Sequence, residues 1–102
     1  MSNKEFLNSI KQTVHSIDKS ATIILFGSRA RGDAKKDSDW DFLIITDNPV
    51  DKKKKESFRD ELVITEIDSE QTSNTLIYSK ENWNKYKYTP LYYFINKEGI
   101  KL

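Results

Sequence analysis

Apolar positions along the chain follow two periods, and the two alternate. Phe6, Leu7, Ile10, Val14 and Ile17 recur at steps of three and four, which is one stripe of a helix. Ser2 and Glu5 precede that stripe with the Ser-x-x-Glu spacing of a capping box, so a first helix is predicted from Asn3 to about Asp18. His15 falls beside the stripe, and a border or surface position is the favoured reading over a catalytic base. The run Thr22–Phe26 is unbroken apolar and β-prone, which predicts a strand covered on both faces. A second strand is predicted from Trp40 to Thr46, ending at the turn Asp47-Asn48-Pro49.

From Asp51 to about Asp68 the pattern predicts a helix, with Phe58 and Leu62 turned inward and Val63 and Ile67 as further candidates for that face. The β-branched stretch Leu62-Val63-Ile64-Thr65 leaves a strand as the alternative there. A third strand is predicted from Thr75 to Tyr78, then Ser79 as cap of a short helix from Lys80 to about Tyr86. Thr89 and Pro90 read as N-cap and first residue of a last helix, with Leu91, Phe94 and Ile95 inward. Gly99 reads as a helix-ending glycine with Ile100 folded back in a Schellman motif. The fold class expected is α/β (α+β): a small mixed sheet of three or more strands flanked by helices.

Between the first two strands lies a loop rich in Gly, Arg and Lys, and the second strand opens on Asp39 and Asp41. Residues two apart on a strand share a face, so both carboxylates point the same way, along with Leu43 and Ile45. Trp40 points oppositely, into packing. Two adjacent carboxylates repel unless a cation sits between them, and Mg²⁺ takes oxygens from one or two carboxylates plus substrate phosphates. Gly27 permits close backbone approach, and Ser28 offers a hydroxyl and a turn whose N–H groups suit phosphate. The short segment Arg29-Ala30-Arg31 is predicted to open a helical turn. Arg29, Arg31, Lys35 and Lys36 add positive charge suited to a polyphosphate. For Arg31, pairing with Asp33 or Asp37 is the favoured alternative.

Composition narrows the setting. The chain has 102 residues, formal net charge +1, no cysteine and a single histidine. It is sized for one domain, residues 1–102. Disulfides, thiolate chemistry and His-cluster metal sites drop out, and near-neutral charge argues against a general nucleic-acid binder. The apolar runs are too short for a membrane span, and the N-terminus has no signal-peptide core. A soluble cytoplasmic protein is expected. The run Lys52–Lys55 reads as a solvated face before it reads as a site for tRNA or another polyanion. Tyr86, Tyr88, Tyr92 and Tyr93 read equally as a core rim or as a partner surface.

Phe26-Gly27-Ser28, the spacer Arg29 to Ser38, and Asp39-Trp40-Asp41-Phe42 together resemble the signature of the nucleotidyltransferase superfamily, of DNA polymerase beta type. Ala30-Arg31-Gly32, Ser38-Asp39, Tyr78 to Trp83 and Lys97 to Ile100 extend the likeness to the minimal, kanamycin-nucleotidyltransferase-like members, over most of the chain. The resemblance implies Mg²⁺-dependent transfer of a nucleoside monophosphate from an NTP, ATP foremost, to an acceptor hydroxyl. It implies Asp39 and Asp41 as catalytic residues and ligands of one or two Mg²⁺ ions. It implies Gly27, Ser28, Arg29, Arg31 and Ser38 around the nucleotide. It also implies a third carboxylate on the next core strand, where this chain has Asn74, with Glu66, Asp68 and Glu70 upstream as alternatives. Asparagine offers a neutral oxygen to a metal but takes no proton at neutral pH. The second reading implied is a catalytically weak, nucleotide-binding antitoxin or regulatory module that pairs with a HEPN-type protein or with itself, nucleic acid entering only as acceptor.

Overall fold

The computed structural model describes residues 1–102. Ser2 caps helix α1 (Asn3–Ile17), and the reciprocal bonds of the capping box both form. Phe6, Ile10 and Val14 of α1 are buried. His15 points its Nε2 at the Ala21 carbonyl, 2.9 Å away, so it ties the helix to the next strand. Strand β1 (Thr22–Phe26) leads through Gly27 into the four-residue helix α2 (Ser28–Arg31), and a polar loop leads to strand β2 (Trp40–Thr46). Asp51 caps α3 (Lys52–Ser69), strand β3 (Ser73–Ser79) follows, and Ser79 caps α4 (Lys80–Asn84). Thr89 caps α5 (Pro90–Glu98), with Pro90 in its first turn, and β4 (Ile100–Lys101) closes the sheet. No helix is long and apolar enough to cross a membrane.

The sheet order is β3-β2-β1-β4. β1 runs antiparallel to β2 and to β4, and β2 runs parallel to β3. α1 and α3 cover one face. There Ile23, Leu25, Trp40, Phe42, Ile44 and Ile77 of the strands meet Phe6, Ile10, Val14, Phe58 and Leu62 of the helices. α4 and α5 cover part of the other face, with Leu43, Trp83 and Ile95 at the centre of a smaller cluster. β1, β2 and β3 therefore alternate between two cores, and β1 is covered on both sides as its apolar run requires.

Three expectations are corrected. α3 forms as a helix, but Val63 and Ile67 face out, at 49% and 70% exposure. Phe58 and Leu62 set the helix's rotation, so the inward positions one and two turns further on fall to Thr65 and Ser69. In α5 only Ile95 is buried, while Leu91 and Phe94 are exposed. Gly99 does not make a Schellman turn. Its φ of −68° and ψ of 145° are extended, because the chain runs straight from α5 into β4 and Ile100 pairs with Leu25.

Candidate active site

Gly27 stands where β1 ends and α2 begins, with φ at +75°. Its partner across the sheet is the start of β2, with Phe26 opposite Asp41. A Cβ on Gly27 would overlap Asp41 Oδ2 and come within 3.1 Å of its Cγ. The Asp41 carboxylate therefore lies against the bare Cα of Gly27, and glycine is needed there both for the left-handed φ and for that approach. Ser28 and Arg29 are the first residues of α2, so their N–H groups have no acceptor within the helix.

Asp39 and Asp41 lie on the sheet face that α4 and α5 partly cover. That cover reaches fully buried Leu43 but leaves Asp41 half-buried and Asp39 exposed. Trp40, between them, is buried on the opposite face against Phe6 and Phe42. Parallel pairing brings β3 alongside, with Asn74 opposite Asp41. Asn74 Nδ2 donates to Asp41 Oδ1 at 3.3 Å and to Asp39 Oδ2 at 3.5 Å. The Thr72 hydroxyl donates to Asp39 Oδ1, while its carbonyl accepts from Trp40 N at 3.0 Å. The site is thus two carboxylates on one face, a glycine against Asp41, an amide from the neighbouring strand and a hydroxyl from the residue just before it.

Arg29 and Arg31 are engaged in holding the loop. Arg29 donates from Nε and Nη2 to the Ser38 carbonyl, at 3.2 and 2.9 Å, and from Nη2 to the Lys36 carbonyl at 3.1 Å. Its guanidinium carbon lies 4.5 Å from the centre of the Trp40 ring. Ser38 Oγ accepts from Lys35 N at 2.9 Å. Arg31 pairs with Asp33 at 3.2 Å, as the structural alternative expected, and with Glu98 of α5 at 3.1 Å instead of Asp37. Hydrogen bonds from Arg31 to Asp33 and then Glu98 push its already high pKa further up.

No third carboxylate joins the pair, and no three His, Cys, Asp or Glu side chains converge anywhere in the chain. Glu66 accepts from the Ser73 hydroxyl at 2.5 Å. Ser73 is opposite Trp40 on the α3 side of the sheet, so Glu66 lies across the sheet from Asp39 and Asp41. Asp68 and Glu70 stay exposed at the end of α3. Thr72 and Glu98 had no distinct signal in the sequence, since both partnerships depend on long-range register.

These features define a small α/β protein with an acidic pair set against a Gly-Ser turn. The chain belongs to the nucleotidyltransferase domain family, which it matches over residues 7–98. A Methanocaldococcus jannaschii protein named "Putative protein adenylyltransferase" is 48% identical over 48 residues, which are 47% of this chain and 46% of that protein. The match thus spans less than half the length of that relative. Two solved structures share the fold. One, a toxin–antitoxin with AMP-PNP, has TM-score 0.66 at 17% identity, over 92% of this chain and 69% of that one. The other, a doubly Asp-to-Glu mutated MntA–HpeT toxin–antitoxin, has TM-score 0.61 at 12% identity, over 99% of this chain and 72% of that one.

Proposed function

We propose that this chain transfers a nucleoside monophosphate from ATP to an acceptor hydroxyl in a Mg²⁺-dependent reaction, with a partner protein as the acceptor. The observation that carries this reading is the Asp39–Asp41 pair at the open start of β2, with Asp41 against Gly27. The donor set fits a hard divalent cation: two carboxylates on one face, and in Asn74 an amide whose rotation by 180° exchanges its N–H₂ for an oxygen. Asp39 and Asp41 would hold the ion, which would supply positive charge against the charge that develops on the transferred phosphate.

The chain's own groups do the rest. Gly27 lets the Asp41 carboxylate lie against the backbone, and the Ser28 hydroxyl and N–H are free to donate to phosphate oxygen. Arg29 and Ser38 fix the loop that flanks the carboxylates, and Arg31 ties that loop to α5. In the transfer the acceptor oxygen bonds to the α-phosphorus as the bond to the bridging oxygen breaks, and pyrophosphate leaves. Asn74 takes no proton, so the acceptor proton passes to solvent or to the carboxylate pair, and turnover is expected to be slow. That the fold is shared with toxin–antitoxin structures, one of them with AMP-PNP, and that the Methanocaldococcus jannaschii relative is named as a protein adenylyltransferase support the reading.

Titration with ATP by calorimetry tests it. Binding is expected with Mg²⁺ and not with EDTA, and Asp39→Asn is expected to abolish it. ATP binding that ignores both the metal and Asp39 would sink the proposal.

A second reading is favoured by the surface around α5, where Tyr88, Tyr93, Phe94 and Leu91 stand 90%, 57%, 52% and 39% exposed. In it the chain is an antitoxin module that covers a HEPN-type partner, with nucleotide transfer secondary. That reading predicts that Asp39→Asn leaves the complex with the partner intact, whereas Phe94→Glu dissolves it.

A further inference from the structure

We propose that a second copy of this chain pairs with the free edge of β3, antiparallel about a twofold axis at Leu76, so that the two sheets join into one. β3 is an edge strand. Its seven residues pair with β2 in unbroken register, without a bulge. Between Ser73 and Ser79 there is no charged residue and no proline. Charges, prolines and bulges are what guard natural edges, because a bare edge accepts another strand. The opposite edge of the sheet is guarded: β4 has two residues, one of them Lys101.

The pairing follows from which backbone groups are free. The Thr72 carbonyl accepts from Trp40 N at 3.0 Å, so Thr72 turns its backbone toward β2, and Asn74, Leu76 and Tyr78 do likewise. Ser73, Thr75 and Ile77 turn N–H and C=O outward, where no strand or turn of this chain takes them. An antiparallel copy centred on Leu76 matches outward groups with outward groups. Thr75 then exchanges backbone bonds with Ile77 of the second copy, and Leu76 meets itself on the axis as a non-hydrogen-bonded pair. The other cross-strand pairs are Asn74 with Tyr78 and Ser73 with Ser79, so no like charges face each other.

The charges of α3 point to a second copy as the occupant. Lys52, Lys55, Arg59, Val63, Glu66 and Glu70 recur at steps of three and four, which makes one stripe. Arg59, Val63 and Glu66 line a groove against Ser73 and Thr75, so the stripe borders the free edge. It is basic in its first half and acidic in its last. About its midpoint at position 61, an antiparallel copy sets Lys52 beside Glu70, Lys55 beside Glu66 and Arg59 beside Val63. The β3 pairing gives the same register. Ser73 Oγ donates to Glu66 at 2.5 Å, which puts those two residues at one level. Leu76 lies about 10 Å further along β3, or about seven residues back along α3, within about two residues of that midpoint. Exposed Glu56 and Asp60 lie off the stripe on its solvent side. An isologous contact requires this kind of self-complementarity. The proposal does not rest on the role assigned to Asp39 and Asp41.

Sedimentation equilibrium and amide hydrogen exchange on the full chain test it. Wild type is expected to reach twice the 12.0 kDa of one chain. The Thr75 and Ile77 amides are expected to exchange fast when dilute and to gain protection as the dimer forms, while the Leu76 amide stays protected throughout. Thr75→Pro removes an N–H that a single chain leaves unpaired, and it is expected to weaken association by at least about tenfold. Charge variants decide the matter even if that variant fails to fold. Lys52→Glu/Lys55→Glu and Glu66→Lys/Glu70→Lys are each expected to associate more weakly than wild type alone, and to recover when mixed in equal amounts, because each altered half then meets its opposite. A monomer at every concentration up to about 1 mM overturns the proposal and leaves the edge to an extended segment of a different protein. A dimer whose Thr75 and Ile77 amides stay unprotected, a folded Thr75→Pro that associates like wild type, or charge variants that fail to recover on mixing overturn it as well.

Discussion

Gly27 and Asp41 are held as a pair, since the carboxylate occupies the space a side chain on residue 27 would need. Gly27→Ala is therefore expected to displace Asp41 as well as strain the backbone. It should cost about 1–2 kcal/mol of stability and remove Mg²⁺-dependent ATP binding, read by thermal melts and calorimetry on the same sample. Asn74→Asp brings a third carboxylate beside the other two. Without metal its melting temperature should fall below wild type, because like charges repel. Mg²⁺ should raise it by more than it raises wild type, a difference that differential scanning fluorimetry can follow. Thr72 orients Asp39 through its hydroxyl, so Thr72→Val should weaken Mg²⁺-dependent ATP affinity about tenfold. Away from the site, burial pushes the Asp18 carboxyl up, yet hydrogen bonds from Lys54 and Ser20 outweigh it and hold the group below its usual range. Such a group adds stability above its unfolded pKa of about 3.9 and loses it as pH falls through the lower folded value. Asp18→Asn should therefore be less stable than wild type at neutral pH, by about 1–2 kcal/mol, with the gap narrowing as pH falls below about 3.9.

Elements differ in how openly the sequence declares them. α1, β1 and β2 were legible because a cap with a helical stripe, in the first, and unbroken apolar runs, in the other two, each point one way, and the common face of Asp39 and Asp41 follows from strand period alone. α3 and α5 declared their ends, through Asp51, Thr89 and Pro90, but not their rotation. α3 carries apolar residues on two sides, and only the sheet decides that Phe58 and Leu62 turn inward. β3 proved two residues longer at its start than its apolar run, since Ser73 and Asn74 pair with Trp40 and Asp41 without being apolar. β4 has two residues and no pattern. At Gly99 a Cβ would lie 2.6 Å from Ile24 Cγ2 and overlap the Ile95 carbonyl. Gly99→Ala is expected to pry β4 from β1 at a cost of about 1–3 kcal/mol, visible in urea melts and as faster exchange of the Leu102 amide.

Across the whole molecule, two cores of unequal size share one sheet. The larger, under α1 and α3, holds Trp40, and the smaller, under α4 and α5, holds Trp83. The candidate site sits at the margin of the smaller core, where Leu43 is sealed and Asp41 is not. Sequence alone located this site by its motif. It did not show that Arg29 and Arg31 are committed to the loop and to Glu98, nor that Thr72 and Asn74 meet the carboxylates. Both facts depend on how β3 registers against β2 and on where α5 comes to rest, which no local pattern encodes.

The two-residue strand β4 also bears on the time at which the site comes into being. Ile24 and Leu25 take Lys101 and Ile100 as neighbours, across a gap of about 75 residues, and contacts that distant are slow to close. During synthesis β1 emerges early and waits with one edge bare while α3, β3 and α5 are still being made. The Gly27 turn is the continuation of that strand. The Gly27 end of β1 is therefore expected to gain its second neighbour late in folding, after β2 has paired with it.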